Sequence, residues 1–243
     1  MKRMLVGLTI AAATALSLPR PAAAQQPAGM CCAADLTALE SAIDAHPDDL
    51  KAGNDYRLAV IKAAQYDRAI AFFEKETKVH PEASNLFLNY GFAYVDKVPA
   101  AGAITQVILA NNALTEFSKS LEVKPSWLAL YTRGNSYLYW PKIFGRTPLG
   151  VKDLEAAMAL QRAEARKSYH VRVWISLGDA YYKMEDAPKA MATWKEGAAA
   201  FPDNADLKAR LTKTGDDLQK VLDDTYDPNR RVDTNLQEMW SAQ

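Results

Sequence analysis

The stretch VRVWISLGDAYYKMEDAPKAMATWKEGAAAFP, residues 171–202, decides the fold. Its apolar and small residues recur every three or four positions in two runs, which predicts two amphipathic helices joined by a short polar turn. Gly178 and Ala190 are small enough for the two helices to touch, while large aromatic residues fill the gaps between neighbouring units. Pro202 ends the second helix. The stretch therefore predicts an antiparallel helix hairpin that needs a second hairpin to bury its apolar face.

A proline that could end a helix recurs along the chain. Pro47 and Pro81 lie 34 positions apart, and each follows a histidine and precedes an acidic residue. A 34-residue period with a terminal proline is typical of helical repeats. The last unit resembles the tetratricopeptide repeat (TPR) in its order of signature residues, which are Trp174, Leu177, Gly178, Tyr181, Ala190, Trp194 and Pro202.

The resemblance implies an all-α fold, a right-handed superhelical solenoid of antiparallel helix hairpins. It covers residues 35–225 as about four hairpins with flanking helices: a lone helix before Pro47 and a polar capping helix over residues 205–227. The four predicted hairpins span residues 50–81, 84–125, 127–168 and 171–202. In the first of them Arg57 stands where the repeat usually has a small residue.

The two central hairpins are longer than the outer two. The small residue of the first helix precedes the alanine of the second by 12 positions in Gly178–Ala190, but by 22 in Gly91–Ala113 and Gly134–Ala156. Both central hairpins are thus predicted to carry a ten-residue insertion in the same turn. Such insertions project side by side from one edge of a solenoid.

The second insertion, WPKIFGRTPLG at residues 140–150, has two interpretations. Trp140, Ile143 and Phe144 could cover the Ala100–Ile108 side of the neighbouring hairpin, as a packing device. Alternatively, Trp140, Phe144 and Arg146 could form a lip that binds a partner, since a guanidinium on a short loop suits a carboxylate or an aromatic face.

The resemblance also implies a concave groove, lined by the first helix of each hairpin, that binds a protein or peptide partner. The side chains expected to face it are Asn54, Asn85, Asn89, Phe92, Tyr131, Asn135, Arg172, Asp179 and Tyr182. Some family members grip a C-terminal carboxylate with lysine, asparagine and arginine side chains. Only Asn89 matches that set, so this mode of binding is not expected here.

The N-terminus predicts export. Residues 1–24 combine a basic start, an apolar run and an Ala-x-Ala site at residues 22–24, the order of a cleaved secretory signal peptide. The mature chain is expected to be periplasmic or secreted, with no stable membrane span and with its partner in the cell envelope. Residues 25–34 are expected to be a flexible segment, and residues 226–243 a C-terminal tail.

Cys31 and Cys32 are adjacent and cannot join distant elements. In an oxidising compartment they could bind a soft metal, form a strained vicinal disulfide or pair with a partner. They could also be inert, because no nearby Cys or His completes a metal-ligand set. No metal site is predicted from them.

Composition and motifs exclude several classes. Without residues 1–24 the chain keeps 26 basic and 29 acidic residues, with no basic cluster of the kind that binds nucleic acid. It has no H-E-x-x-H, P-loop, G-x-S-x-G or dinucleotide glycine pattern, so neither catalysis nor a cofactor is predicted.

Two functions remain open at this stage. One is an exported scaffold that holds an envelope protein through its groove and insertions. The other is a periplasmic small-molecule or metal carrier, an accessory that could serve a transporter. Native mass spectrometry of the mature protein separates them, because a carrier retains bound mass. The sequence does not define the oligomeric state.

Overall fold

A computed structural model describes residues 28–241, with side chains from Leu36 onward. Within that range every regular element is a helix, which confirms the all-α prediction. The α-helices are α1 (Ala28–Ala45), α2 (Leu50–Ala63), α3 (Tyr66–Val79), α4 (Ser84–Lys97), α5 (Ala103–Val123), α6 (Trp127–Ser136), α7 (Thr147–Arg162), α8 (Val171–Lys183), α9 (Ala187–Ala200), α10 (Ala205–Thr212), α11 (Gly215–Thr225) and α12 (Glu238–Ser241).

The helices form a solenoid of four hairpins. These are α2–α3, α4–α5, α6–α7 and α8–α9, preceded by α1 and followed by α10 and α11. One buried apolar cluster joins α1 to α4, and a second extends from α4 to α11. Tyr94 packs against both clusters, so the core is continuous from hairpin to hairpin as a solenoid requires.

The ends of the repeat region differ from the sequence prediction. The expected single capping helix over residues 205–227 is two helices, because the chain turns at Gly215, whose φ of 53° favours glycine. The backbone of Cys31 and Cys32 lies in α1, in the segment predicted to be flexible. Their side chains, and all of residues 1–24, are outside the described residues.

Small residues hold the helices of a hairpin together as predicted. A Cβ at Gly178 would overlap the Trp194 indole, and one at Gly91 would overlap the Phe117 ring. Both rings are almost completely buried. The glycine of the first helix thus accepts a ring from the second helix, four residues beyond the expected alanine.

The two helices of the third hairpin pack in a different register from the predicted one. A Cβ at Gly134 would lie 2.9 Å from Leu154 Cγ and 3.1 Å from the Gly150 carbonyl oxygen. Leu154 is fully buried, so Gly150 occupies the place assigned above to Ala156, and Leu154 follows it by four residues as Trp194 follows Ala190. The prediction failed because the alanine-rich sequence of α7 fits the small-residue pattern in more than one register.

The two insertions are therefore unequal. The second hairpin has 26 positions between its glycine and its buried ring (Gly91–Phe117) and the third has 20 (Gly134–Leu154), against 16 in Gly178–Trp194. The excess is ten residues in one and four in the other, so the prediction of equal insertions is wrong. Much of the first insertion lengthens α5, which has 21 residues where α9 has 14, an extension of about 10 Å.

Among the described helices none is long and apolar enough to cross a membrane.

Replacing Gly178 with alanine should destabilise the protein by ~1–3 kcal/mol, because the added methyl group pushes the Trp194 indole out of its site. Gly102→Ala is the matched control, since nothing lies within 4 Å of a Cβ there. Chemical denaturation of the two variants measures the difference. Equal stability would mean that Gly178 does not lie at a tight helix crossing.

Candidate functional site: the concave groove and the segment that crosses it

The concave groove is lined by the first helices of the four hairpins, α2, α4, α6 and α8. The side chains that define it in the structure are Asn54, Arg57, Asn89, Phe92, Asp96, Tyr131, Asn135 and Arg172. Amide, aromatic and charged groups therefore share one surface, and this mixture suits both the backbone and the side chains of an extended chain.

The groove is crossed by the end of the described chain. Residues 227–241, called here the C-terminal segment, leave the last helix pair and return to the first hairpin. Residues 231–236 have no helical structure, and the short helix α12 follows them. Thr234 and Leu236 are buried, whereas Asp233, which directly precedes them, is exposed. The predicted tail is thus a strap across the concave face.

Arg57 is the centre of the groove floor. Its guanidinium is fully buried and forms a 2.9 Å ion pair with Asp96, which is almost as deeply buried. Nε donates to Asn89 Oδ1 at 3.0 Å, and the guanidinium lies 4.6 Å from the centre of the Phe92 ring. Burial lowers the pKa of Arg57, and the negative charge of Asp96 opposes that shift.

The groove floor binds the backbone of the C-terminal segment. Arg57 Nη2 donates to the Thr234 carbonyl oxygen at 2.9 Å, and Asn54 Oδ1 accepts from the Leu236 amide at 3.0 Å. The Thr234 hydroxyl donates to the second carboxylate oxygen of Asp96. Two of these three contacts are made only to backbone atoms of the segment. This part of the groove therefore recognises an extended backbone, whatever its side chains.

The far end of the segment is held more loosely. Arg172 donates to Glu238 at 3.1 Å, but both side chains are substantially exposed. The Lys51 ammonium lies 6.0 Å from the centre of the Trp240 ring, at the outer limit of a cation–π contact. Exposed pairs of this kind contribute little to stability. The grip on the segment therefore comes mainly from Thr234 and Leu236.

Asp179 does not face the groove as an open ligand, and the prediction of exposure there is wrong. Its carboxylate is fully buried and accepts two hydrogen bonds from Arg210, at 2.6 and 2.7 Å. It also accepts from the Trp194 indole at 3.2 Å and from the Tyr226 hydroxyl at 2.9 Å. Burial, reinforced by the carboxylate, raises the pKa of Tyr226 well above its usual value. Asp179 thus anchors α10 and the start of the C-terminal segment.

The other predicted groove residues have different positions. Asn54, Asn89 and Phe92 are buried and already contact Arg57 or the segment. Asn85 is half-buried and bonds Asp48 through its backbone and side chain, outside this contact set. Tyr182 lies apart from the groove centre, in a small depression with Lys142 and Glu185.

A cleft of about 680 Å³ remains between the groove wall and the C-terminal segment. Tyr131 and Asn135 line it from α6, and Arg172 lines it from α8. Tyr131 stacks on Trp127 with ring centres 5.3 Å apart, and the Asn135 amide oxygen accepts from Ser176. The structure therefore brings together five of the predicted residues around one half-open space, namely Phe92, Tyr131, Asn135, Trp140 and Arg172.

The edge of the solenoid that carries the two insertions, called here the insertion edge, has both buried and exposed apolar side chains. Trp140 is buried, and the Arg146 guanidinium stacks 3.6 Å from the centre of its indole while donating to Asn111 Oδ1 on α5. That bond joins the two insertions, as the sequence predicted. Ile143 and Phe144, however, are 90% and 55% exposed, so of the two interpretations the packing one is wrong for these side chains. Exposed Ile104 on α5 likewise shows that this stretch is left uncovered within the described chain.

Sequence reasoning missed Arg57, Asp96 and the C-terminal segment. The available signal was the arginine at a position that the repeat reserves for a small residue. A buried guanidinium needs a carboxylate and several acceptors, and this requirement could have directed attention to Asp96 on the next hairpin. Nothing in the local pattern around Thr234 indicates that it returns to a residue 177 positions earlier.

Comparison with solved structures agrees with this architecture. The chain is similar to TTC0263, a thermophilic TPR protein in Thermus thermophilus, at a TM-score of 0.53 and 20% identity over 74% of this chain and 88% of that one. It is similar to YrrB, a TPR protein with an unusual peptide-binding site, at 0.50 and 16% over 84% and 90%. It is also similar to the MamA protein, at 0.50 and 13% over 76% and 90%. No protein-family model and no curated protein sequence matches the chain.

The chain thus has the tetratricopeptide repeat fold, and the resemblance drawn from the sequence is confirmed. At these identities the likeness establishes the fold, while the function has to be argued from the groove.

Replacing Arg57 with methionine should cost about 3–5 kcal/mol of stability, because it leaves the Asp96 carboxylate buried without its partner. Arg162→Met is the matched control, since that arginine pairs with Glu196 on the surface and should change stability by no more than ~1 kcal/mol. Urea denaturation of both variants measures the effect. Similar losses in the two would contradict a structural role for the buried pair.

Proposed function

We propose that the protein is an interaction scaffold whose concave groove binds an extended segment of a partner protein. The observation that carries the proposal is the pair of backbone contacts that Arg57 and Asn54 make to Thr234 and Leu236. A groove that satisfies the amide and carbonyl groups of an extended chain removes the main cost of burying such a chain. YrrB, one of the structural neighbours, is described as having an unusual peptide-binding site.

The half-open part of the groove supplies room for side chains of a partner. Tyr131, Asn135 and Arg172 line the cleft, together with Tyr139 and the buried Trp140. Aromatic and arginine side chains are over-represented among residues that dominate binding energy, because they bury a large area and keep a polar handle. We propose Tyr131 as the principal anchor of this surface, with Arg172 facing an acidic group of the partner.

The location of the partner follows from the N-terminal pattern. The basic start, apolar run and Ala-x-Ala site of residues 1–24 favour export, so we propose that the scaffold works in the periplasm or outside the cell. The exposed Phe144 next to Arg146 offers a second contact area at the insertion edge.

A carrier function is the second candidate, and the cleft is the observation that favours it. A volume of about 680 Å³ lies within the range of small-molecule sites, and its lining is aromatic with a few polar groups. Within the described residues no cluster of three His, Cys, Asp or Glu side chains is placed to hold a metal ion. The molecule that this cleft suits is an organic one, which native mass spectrometry would detect.

The scaffold proposal can be tested with a display library of random 12-residue peptides. The library is selected on the intact protein and, separately, on a shortened chain that ends at Tyr226. We expect peptides whose affinity falls about tenfold, ~1.4 kcal/mol, on Tyr131→Ala. Tyr66→Ala is the matched control, because Tyr66 is a similarly half-buried tyrosine on α3, outside the groove.

Circular dichroism must show that both tyrosine variants keep their helical content. Selection of peptides that depend on Tyr66 and not on Tyr131, or of no peptide on either chain, would contradict the proposed groove.

A further inference from the structure

The C-terminal segment occupies the place that the proposed function gives to a partner. Thr234 and Leu236 are buried against the groove floor, and the residues that hold them, Asn54, Arg57 and Asp96, come from the first two hairpins. The segment is therefore bound as a ligand is bound, through contacts to residues far away in the sequence.

Buried and more exposed residues alternate along the segment, as expected of an extended chain that is bound along one side. In extended backbone, successive side chains point to opposite sides, so positions two apart share a side. Thr234 and Leu236 point into the protein, while Asp233 is exposed and Asn235 is only partly covered. The groove floor thus recognises a residue with a hydroxyl group, here Thr234, and an aliphatic residue two positions later, here Leu236.

The segment also carries features of a ligand that can leave. Its two outer contacts, Arg172 with Glu238 and Lys51 with Trp240, are exposed or long. Arg231, which precedes the buried residues, is exposed, and residues 231–236 have no regular secondary structure. By contrast, the residue just before the segment, Tyr226, is buried and bonded to Asp179. This difference places a hinge after Arg230, which is still joined to α11 by its ion pair with Asp224 and to Asp227 by a backbone turn.

The buried polar floor explains why a replacement ligand is needed. Without the segment, Arg57 Nη2 and Asn54 Oδ1 lose partners they have in the structure, and Asp96 loses the Thr234 hydroxyl. Buried polar groups without hydrogen bonds cost free energy. A partner that supplies the same backbone groups and the same hydroxyl restores these hydrogen bonds.

We propose that the C-terminal segment is a built-in competitor that closes the groove until a partner with a similar motif displaces it. This inference rests on the proposed function. The partner segment it predicts is extended, with Thr or Ser facing Asp96, an aliphatic residue two positions later and an acidic residue facing Arg172. A tethered ligand has an effective concentration in the millimolar range, so a free peptide competes with it poorly.

The inference is tested with a fluorescent synthetic peptide of residues 230–241. We expect it to bind the shortened chain that ends at Tyr226 at least about tenfold more tightly than it binds the intact protein, as measured by anisotropy. A control peptide with Thr234→Ala and Leu236→Asp should bind neither chain. Equal binding of the natural peptide to both chains, or no binding to a folded shortened chain, would overturn the inference.

A second variant keeps the test valid if the shortened chain does not fold. In the intact protein, Thr234→Ala with Leu236→Ala should release the segment and raise affinity for the natural peptide. Asp233→Ala with Gln237→Ala is the matched control, because both of these residues are exposed, and it should leave affinity at the intact level. No gain in the first pair over the control would count against the inference.

Light scattering distinguishes a segment bound within one chain from one exchanged between two copies. The inference predicts a monomer with or without the segment. An intact dimer that becomes monomeric in the shortened chain would overturn the intramolecular form. Library peptides that need Tyr131 but bind intact and shortened chains equally would overturn this inference and leave the proposed function standing.

Discussion

The buried ion pair of Arg57 and Asp96 is the interaction on which the concave side of the protein depends. It joins the first helix of one hairpin to the first helix of the next, and it meets the C-terminal segment through both partners. A buried guanidinium with a single carboxylate would be an unfavourable arrangement, because desolvation of two charges offsets their attraction. Here Asn54 and Asn89 accept two of its remaining hydrogen bonds, and the Thr234 carbonyl accepts another.

A second buried pair has the same role at the other end of the solenoid. Arg210 and Asp179 form two hydrogen bonds, and Asp179 also accepts from Trp194 and Tyr226. This pair fixes α10 and the point where the C-terminal segment leaves the repeats. The stretch from Tyr226 to Thr234 is therefore tied at both ends to a buried arginine–aspartate pair, and the exposed residues 228–231 lie between the two anchors.

The fold could be predicted because its determinants are local. Glycine at a helix crossing, aromatic residues between hairpins and proline at a helix end all appear within one repeat, so Gly178, Trp194 and Pro202 suffice to define a hairpin. The register of the third hairpin could not be predicted from the sequence, since α7 contains several small residues and only packing selects Gly150 opposite Gly134. The packing interpretation was wrong for Ile143 and Phe144 for a different reason: a pattern predicts apolar side chains but does not show what covers them.

The candidate site was predictable only in part. Tyr131, Asn135 and Arg172 lie together because the repeat places equivalent positions of successive first helices on one face. Asp179 also falls on that face by its spacing, yet its charge is used by Arg210 from a helix that the repeat pattern does not constrain. The contact of Thr234 with Arg57 spans 177 positions. It depends on the path of the whole solenoid, which a local sequence pattern does not encode.

The most direct measurement of the central claim is amide hydrogen exchange at Leu236, followed by NMR in the intact protein. Its N–H donates to the buried Asn54 side chain, so we expect exchange to be slowed by at least about a hundredfold relative to an unstructured chain. The amide of Arg231, an exposed residue in the same segment, serves as the internal reference. Exchange at Leu236 as fast as at Arg231 would contradict the account, because the segment would then not be held on the Arg57–Asp96 floor.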